Sequence, residues 1–227
     1  MRSSLAMSHT VHMESAVPRP YRVVVLISGS GTNLQRLIDT VHVPNGEIEI
    51  VLVLSSREDA YGLERAQMAG IATDVMTRHR DDDRIARDRA LADRVALAEP
   101  DLVVLAGWMS ILTGAFLDRF PDRVINLHPS LLPAFIGMHA IEDALAWGVR
   151  WTGVTVHYAE EEVDGGPPIL QETVPVLYGD TVDSLRERVR DAEHRVLPAA
   201  VRLFAQDRVH RDPQQRRRVQ ILEEEPS

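Results

Sequence analysis

Asn126 and His128, whose side chains suit the handling of protons and charge, stand two residues apart beyond the strand-like run Arg123-Val124-Ile125. Alternation along a strand places both on one face. Pro129 and Pro133 follow, and proline restricts its own backbone and that of its predecessor, which keeps the polar pair from relaxing into solvent. An imidazole carries protons near neutral pH when a neighbour adjusts its affinity, and Asp164, in Asp164-Gly165-Gly166-Pro167, is the candidate neighbour. Its carboxylate is expected to raise the pKa of His128, while Gly165 and Gly166 let the backbone approach a ligand. Asn126 supplies a neutral donor for an oxyanion, an effect worth about 3 to 4 kcal/mol of barrier. Amide, imidazole and carboxylate together suit acyl transfer through a tetrahedral intermediate, without a covalent enzyme intermediate. The same residues also admit a plainer reading: a turn begun by Asn126, a surface histidine and an Asp-Gly turn.

Other chemistries fit less well. His128, His139, His157 and Asp164 lack the short helical spacing of zinc ligands, and no metal is expected. Ser130 has no Gly-x-Ser-x-Gly surroundings to make it a nucleophile. The absence of cysteine excludes disulfides, Cys-ligated zinc and a thiol nucleophile. A formal net charge of -9 argues against bulk nucleic-acid binding, and no apolar stretch approaches the length of a membrane span. Small-molecule partners, no nucleic acid, no membrane and a cytoplasmic location are therefore expected, for a monomer or homodimer. Residues 1–20 lack the apolar core of a signal peptide and read as a disordered extension, 21–206 as a single domain, and 207–227 as a polar tail.

The elements that must position these groups read as an α/β chain: a Rossmann-like, mostly parallel central sheet with helices on both faces and an antiparallel strand pair toward the C-terminus. The β-branched runs Tyr21 to Ser28, Ile48 to Leu54 and Asp101 to Gly107 have the pattern of strands buried on both faces. The first runs into Gly29-Ser30-Gly31-Thr32-Asn33 and an amphipathic Leu34 to Asp39. Such a strand, glycine turn and helix start make an anion site, with phosphate the natural ligand, although a mere tight turn has the same residues. There is no Walker lysine and no dinucleotide glycine spacing. Trp108 to Leu112 follow a strand end, where ligands collect in open α/β sheets, so Met109 to Leu112 either line an apolar slot for a flat ligand or cover the core. Arg78 to Ala98 reads as a charge-rich helix with Ile85, Leu91, Val95 and Leu97 apolar, and Thr181 to Phe204 as a long helix. Trp151 to Tyr158 and Ile169 to Val176 read as the antiparallel pair.

Ser28-Gly29-Ser30-Gly31-Thr32-Asn33-Leu34-Gln35, Gly62-Leu63-Glu64-Arg65-Ala66, Ala106-Gly107-Trp108-Met109, Asn126 to Pro133 and Asp164-Gly165-Gly166-Pro167, in that unbroken order, resemble the phosphoribosylglycinamide formyltransferases. The likeness runs from about Tyr21 to about Phe204. It implies the formyltransferase fold, with a nucleotide-binding amino-terminal half and a folate cleft in the carboxyl-terminal half. It also implies formyl transfer from 10-formyltetrahydrofolate, as co-substrate, to the amine of glycinamide ribonucleotide in purine synthesis. Gly31, Thr32 and Asn33 match the phosphate turn; Arg190 and Glu193 match contacts to the nucleotide substrate. Arg84, Met109, Ser110, Ile111, Leu112 and Asn126 match the folate side, His128 the proton donor and Asp164 the residue that raises its pKa. Two positions depart from the family. Ile136 replaces a usual proline and is expected to loosen its loop, and Ser110 stands where many relatives carry arginine. The alternatives are a formyltetrahydrofolate deformylase, which needs no ribose phosphate turn, a methionyl-tRNA formyltransferase, which needs a further basic domain, and a noncatalytic folate or nucleotide binder, which needs no histidine and aspartate together.

Overall fold

The computed structural model describes residues 19–44, 46–77 and 83–223. In chain order the elements are β1 (Tyr21–Ile27), α1 (Thr32–Thr40), β2 (Ile48–Ser55), α2 (Tyr61–Met68), β3 (Thr73–Val75), α3 (Arg84–Ala96), β4 (Leu102–Leu105) and α4 (Gly114–Leu117). They continue with β5 (Val124–His128), α5 (Ala140–Trp147), β6 (Trp151–Tyr158), β7 (Pro168–Pro175), α6 (Val182–Ala205), β8 (Val209–Arg211) and β9 (Val219–Ile221). Seven strands form one sheet in the order β3-β2-β1-β4-β5-β6-β7. The first five run parallel, and β6 and β7 run antiparallel to their neighbours.

The β-branched run of β1 buries both faces. Val23, Val25 and Ile27 pack with α1, α2, α5 and α6, while Val24 and Leu26 pack with α3 and α4 on the other side. That is the two-sided core the unbroken apolar runs call for. Strand order reverses between β1 and β4, since the chain builds β2 and β3 outward on one side and β5 onward on the other. The carboxyl ends of β1, β4 and β5 therefore open on a common crevice, the usual ligand position in such sheets.

Two elements differ from the sequence reading. The charge-rich helix begins at Arg84 with Asp83 as its cap, Oδ1 accepting from the Ile85 and Ala86 amides at 2.9 and 3.3 Å, and residues 78–82 lie outside the described residues. Its buried stripe is Asp88, Leu91, Ala92 and Val95, at the i, i+3, i+4, i+7 spacing of one helix face. Ile85 and Leu97 fall off that stripe and are exposed. Of the expected tail, residues 209–221 form a β8–β9 hairpin in which Val209, Val219 and Ile221 pack against the main core. Three alternating apolar residues within a polar segment suffice for this because the hairpin folds back on an existing core. Residues 1–18 of the expected extension and 224–227 of the tail lie outside the described residues.

Candidate active site

The glycine turn leaves β1 and enters α1 through Gly31, whose φ of 71° is the left-handed conformation glycine adopts without strain. Close approach matters as much. A Cβ on Gly31 would stand 2.6 Å from the Cα of Gly62, and one on Gly62 would stand 2.4 Å from Ile27 Cδ1. The start of α2 thus crosses the turn on bare backbone, joined by the Gly62 amide donating to the Gly29 carbonyl at 3.1 Å. Arg65 steadies the turn from outside, its Nε donating to the Ser30 carbonyl at 2.9 Å.

Asn33, in the first turn of α1, donates from Nδ2 to Glu193 Oε2 at 3.0 Å, and its Oδ1 is buried without a partner. Burial pushes the Glu193 carboxyl above its ordinary pKa, while the Asn33 amide and Arg190 pull it back. Glu193 and Arg190 line a cavity of about 250 Å³ that also reaches Pro129, the residue after His128. The turn, the two α6 residues and the end of β5 are therefore brought together.

Antiparallel register sets Asn126 opposite His157 and His128 opposite Thr155, so four polar side chains share one face of β5 and β6. The His157 Nδ1–H donates to its neighbour's carbonyl at Tyr158, 2.8 Å away, and its Nε2 lies 3.6 Å from Asp164 Oδ1 and 3.1 Å from Asn126 Nδ2. The second hydrogen of that amide makes only a long contact, 3.4 Å, with Asp164 Oδ1. His128 places Nδ1 3.3 Å from Asp164 Oδ2 and donates from Nε2 to the Phe135 carbonyl at 2.8 Å. Asp164 also accepts from the Gly137 amide at 2.8 Å, and its side chain is 8% exposed.

Both ring nitrogens of His128 face oxygen acceptors, an arrangement suited to imidazolium. The expected net rise in its pKa is nevertheless not what the surroundings produce. Burial is the largest influence and holds the pKa below the ordinary value; Phe135 and Asp164 raise it without overcoming burial, and His157 lowers it further. Burial also works against charge on Asp164, but His157, the Gly137 amide and His128 together hold its carboxyl below the usual carboxylate range.

Ile136, expected to loosen its loop, is flanked by two tethers: the Phe135 carbonyl on His128 and the Gly137 amide on Asp164. The same loop is anchored lower down, where Thr155 Oγ1 donates to the Ser130 carbonyl at 2.7 Å and accepts from the Leu132 amide at 3.1 Å, and Gln171 donates to the Leu132 carbonyl at 3.1 Å. Ser130 is fully buried, with its hydroxyl donating to the Ala134 carbonyl.

The loop after β4 splits. Met109 and Ile111 are exposed and Ser110 is half-buried, but Leu112 joins the core on the α3 and α4 side. Ser28 Oγ accepts from the Met109 amide at 2.9 Å, and Asp88 Oδ2 accepts from the Thr113 amide at 2.7 Å, so both ends of the loop are pinned. Arg84 is exposed and joins neither the Asn126, His128 and Asp164 group nor the glycine turn. Among the described residues no group of three or more His, Asp or Glu is arranged to hold a metal, and no helix is long and apolar enough to cross a membrane.

Sequence reasoning weighed His157 as a metal ligand and favoured a pocket or packed histidine, without pairing it with Asn126, and it passed over Thr155, Gln171 and Asp88. The signal for His157 and Thr155 was present: Asn126-Leu127-His128 and Thr155-Val156-His157 are both polar-apolar-polar triplets on paired strands. Asp88 offers a weaker one, a carboxylate on an otherwise apolar helix face.

Residues 21–201 match the family model described as formyl transferase. Phosphoribosylglycinamide formyltransferase of Escherichia coli (strain K12) is 44% identical over 187 residues, covering 82% of this chain and 88% of that protein. The trifunctional purine biosynthetic protein adenosine-3 of Homo sapiens is 47% identical over 184 residues, and this chain spans only 18% of its length. Among solved structures, glycinamide ribonucleotide transformylase 1 from Symbiobacterium toebii superposes with a TM-score of 0.85 at 48% identity, over 90% of this chain and 95% of that one.

Proposed function

The chain belongs to the formyl transferase family, and from that premise we propose that it transfers a formyl group from 10-formyltetrahydrofolate to the amine of 5'-phosphoribosylglycinamide. The observation that carries this reading is the convergence of two sites on one crevice. A glycine turn at a helix start, with the unpartnered Asn33 Oδ1, lies beside the Glu193 carboxylate, and the Asn126, His128 and Asp164 cluster lies at the end of β5, two strands from β1. The turn suits a phosphate, since helix-start amides and the helix dipole favour an anion. A deformylase using water has no use for that half of the crevice.

In the reaction, the amine lone pair forms a bond to the formyl carbon and the carbonyl π pair moves to oxygen. The Asn126 amide hydrogen that makes only a long contact is available to that oxyanion, and His128 in its protonated form adds a charged donor. On collapse the carbon–nitrogen bond to the folate breaks with its electron pair, and that nitrogen takes a proton. The attacking nitrogen gives one up. Asp164 favours the protonated histidine against the pull of burial. Met109 and Ile111, exposed on a loop pinned at both ends, supply apolar surface for the folate ring.

The test is a two-substrate assay following folate absorbance. Consumption of 10-formyltetrahydrofolate is expected only when the ribonucleotide is present. Consumption at the same rate without it would replace formyl transfer by hydrolysis.

A further inference from the structure

Asp164 has a backbone φ of 51°, the left-handed region, and sits in a loop whose crest, Glu161 to Val163, is exposed. Packing does not hold that crest, so something else must hold the carboxylate in place. The loop is tied at its ends by the Ala159 amide on the Val124 carbonyl and the Tyr158 amide on the Pro167 carbonyl, at 2.9 and 3.1 Å. Between those ends, two of its fastenings come from the carboxyl-terminal hairpin. Arg211, with a side chain only 12% exposed, pairs with Glu160 and with Asp122, the latter at 2.8 Å, and lies over the Tyr158 ring at 5.4 Å. Arg217 donates to the carbonyl of Gly165, the residue after Asp164, at 3.1 Å.

The hairpin is itself a fixed platform. Val209 is in the main core, Val219 and Ile221 pack on it, and Arg211 Nε donates to the Arg216 carbonyl at 2.6 Å, closing the hairpin on itself. It lies beyond the span matched to the family. We propose that Arg211 and Arg217 are positioning residues for the formyl-transfer site, which hold the 159–167 loop so that Asp164 meets His128. This rests on the catalytic reading of Asp164 given above.

The charged or titratable groups that face His128 are Asp164 from this loop and His157 from β6. A loop released from Arg211 lets the Asp164 carboxylate withdraw, which lowers the proton affinity of His128. Loss of a distant positive charge alone would raise it. The two effects have opposite signs, so direction separates positioning from simple electrostatics.

The experiment compares pH profiles of kcat for formyl transfer by the full chain and by Arg211→Met, Arg217→Met, Glu160→Gln and Asp164→Asn, with folding checked by thermal unfolding. For Arg211→Met the falling alkaline limb is expected to move to lower pH by about half a unit to one unit, part of the shift an opposite charge at this range commands. The KM for the ribonucleotide should stay unchanged. Glu160→Gln should move the limb the same way, a direction its lost negative charge also favours, so the sign test rests on the arginine variants, and Arg217→Met should move it by less. Arg217 is exposed, so its variant carries the test if Arg211→Met does not fold. A limb that stays put or moves upward in folded arginine variants, while Asp164→Asn shifts it down, overturns this inference alone. A limb unmoved by Asp164→Asn overturns the catalytic role of Asp164 and this inference with it.

Discussion

The two halves of the crevice are held by different means. The glycine turn is positioned by backbone: Gly31, before α1, and Gly62, in α2, touch at a distance no side chain permits. The Asn126, His128 and Asp164 cluster is positioned by side chains and register, drawn from β5, β6 and two loops that meet only in the folded sheet. Backbone placement tolerates little substitution but depends on few partners. Placement by side chains depends on many partners, each replaceable at graded cost.

Substitutions should separate the halves. His128→Ala is expected to lower kcat by about 10² to 10⁴, the range for loss of a general acid, with the KM for the ribonucleotide nearly unchanged; steady-state kinetics with both substrates measures this. A rise in that KM instead would join the two halves. Asp164→Asn has a smaller effect, about tenfold at pH 7. Its sign follows from the surroundings: burial already depresses the His128 pKa, the carboxylate opposes that, and its removal carries the falling limb to lower pH.

Gly62→Ala tests the other half. Its Cβ must displace Ile27 or Gly31, which should cost about 1 to 3 kcal/mol of stability by overpacking and raise the ribonucleotide KM, while the pH profile of kcat stays in place. Thr155→Val gives the smallest change in activity. It removes the hydroxyl that bonds Ser130 and Leu132 and should destabilise by about 1 to 3 kcal/mol, the cost of leaving buried partners unmade, read by denaturant unfolding with kcat only slightly reduced.

Much of this architecture is legible along the chain because its signals are local. β1 and β4 carry the apolar runs Val23 to Ile27 and Leu102 to Leu105, buried on both faces, β2 carries a similar run after Glu49, and Leu185, Val189, Val196 and Leu197 are buried on α6 at the spacing read from sequence. Asn126 and His128 share a face by alternation alone. What sequence conceals is non-local. His157 enters the cluster through antiparallel register, and Gln171 through the next strand. The direction of the His128 shift depends on how deeply the ring is buried, which spacing does not report. Ile85 and Leu97 look apolar and helical, yet the stripe of α3 is set by where α4 and the sheet lie.

The bond from His128 Nε2 to the Phe135 carbonyl has a consequence for the enzyme between turnovers. A buried N–H with no acceptor costs about 1 to 3 kcal/mol, so a donor kept ready in an empty pocket would destabilise the resting state. Here the vacancy is filled by a carbonyl seven residues along the same chain, on the loop that also holds Asp164. On the role proposed for His128, substrate arrival exchanges one acceptor for another, and the donor stays satisfied while it waits.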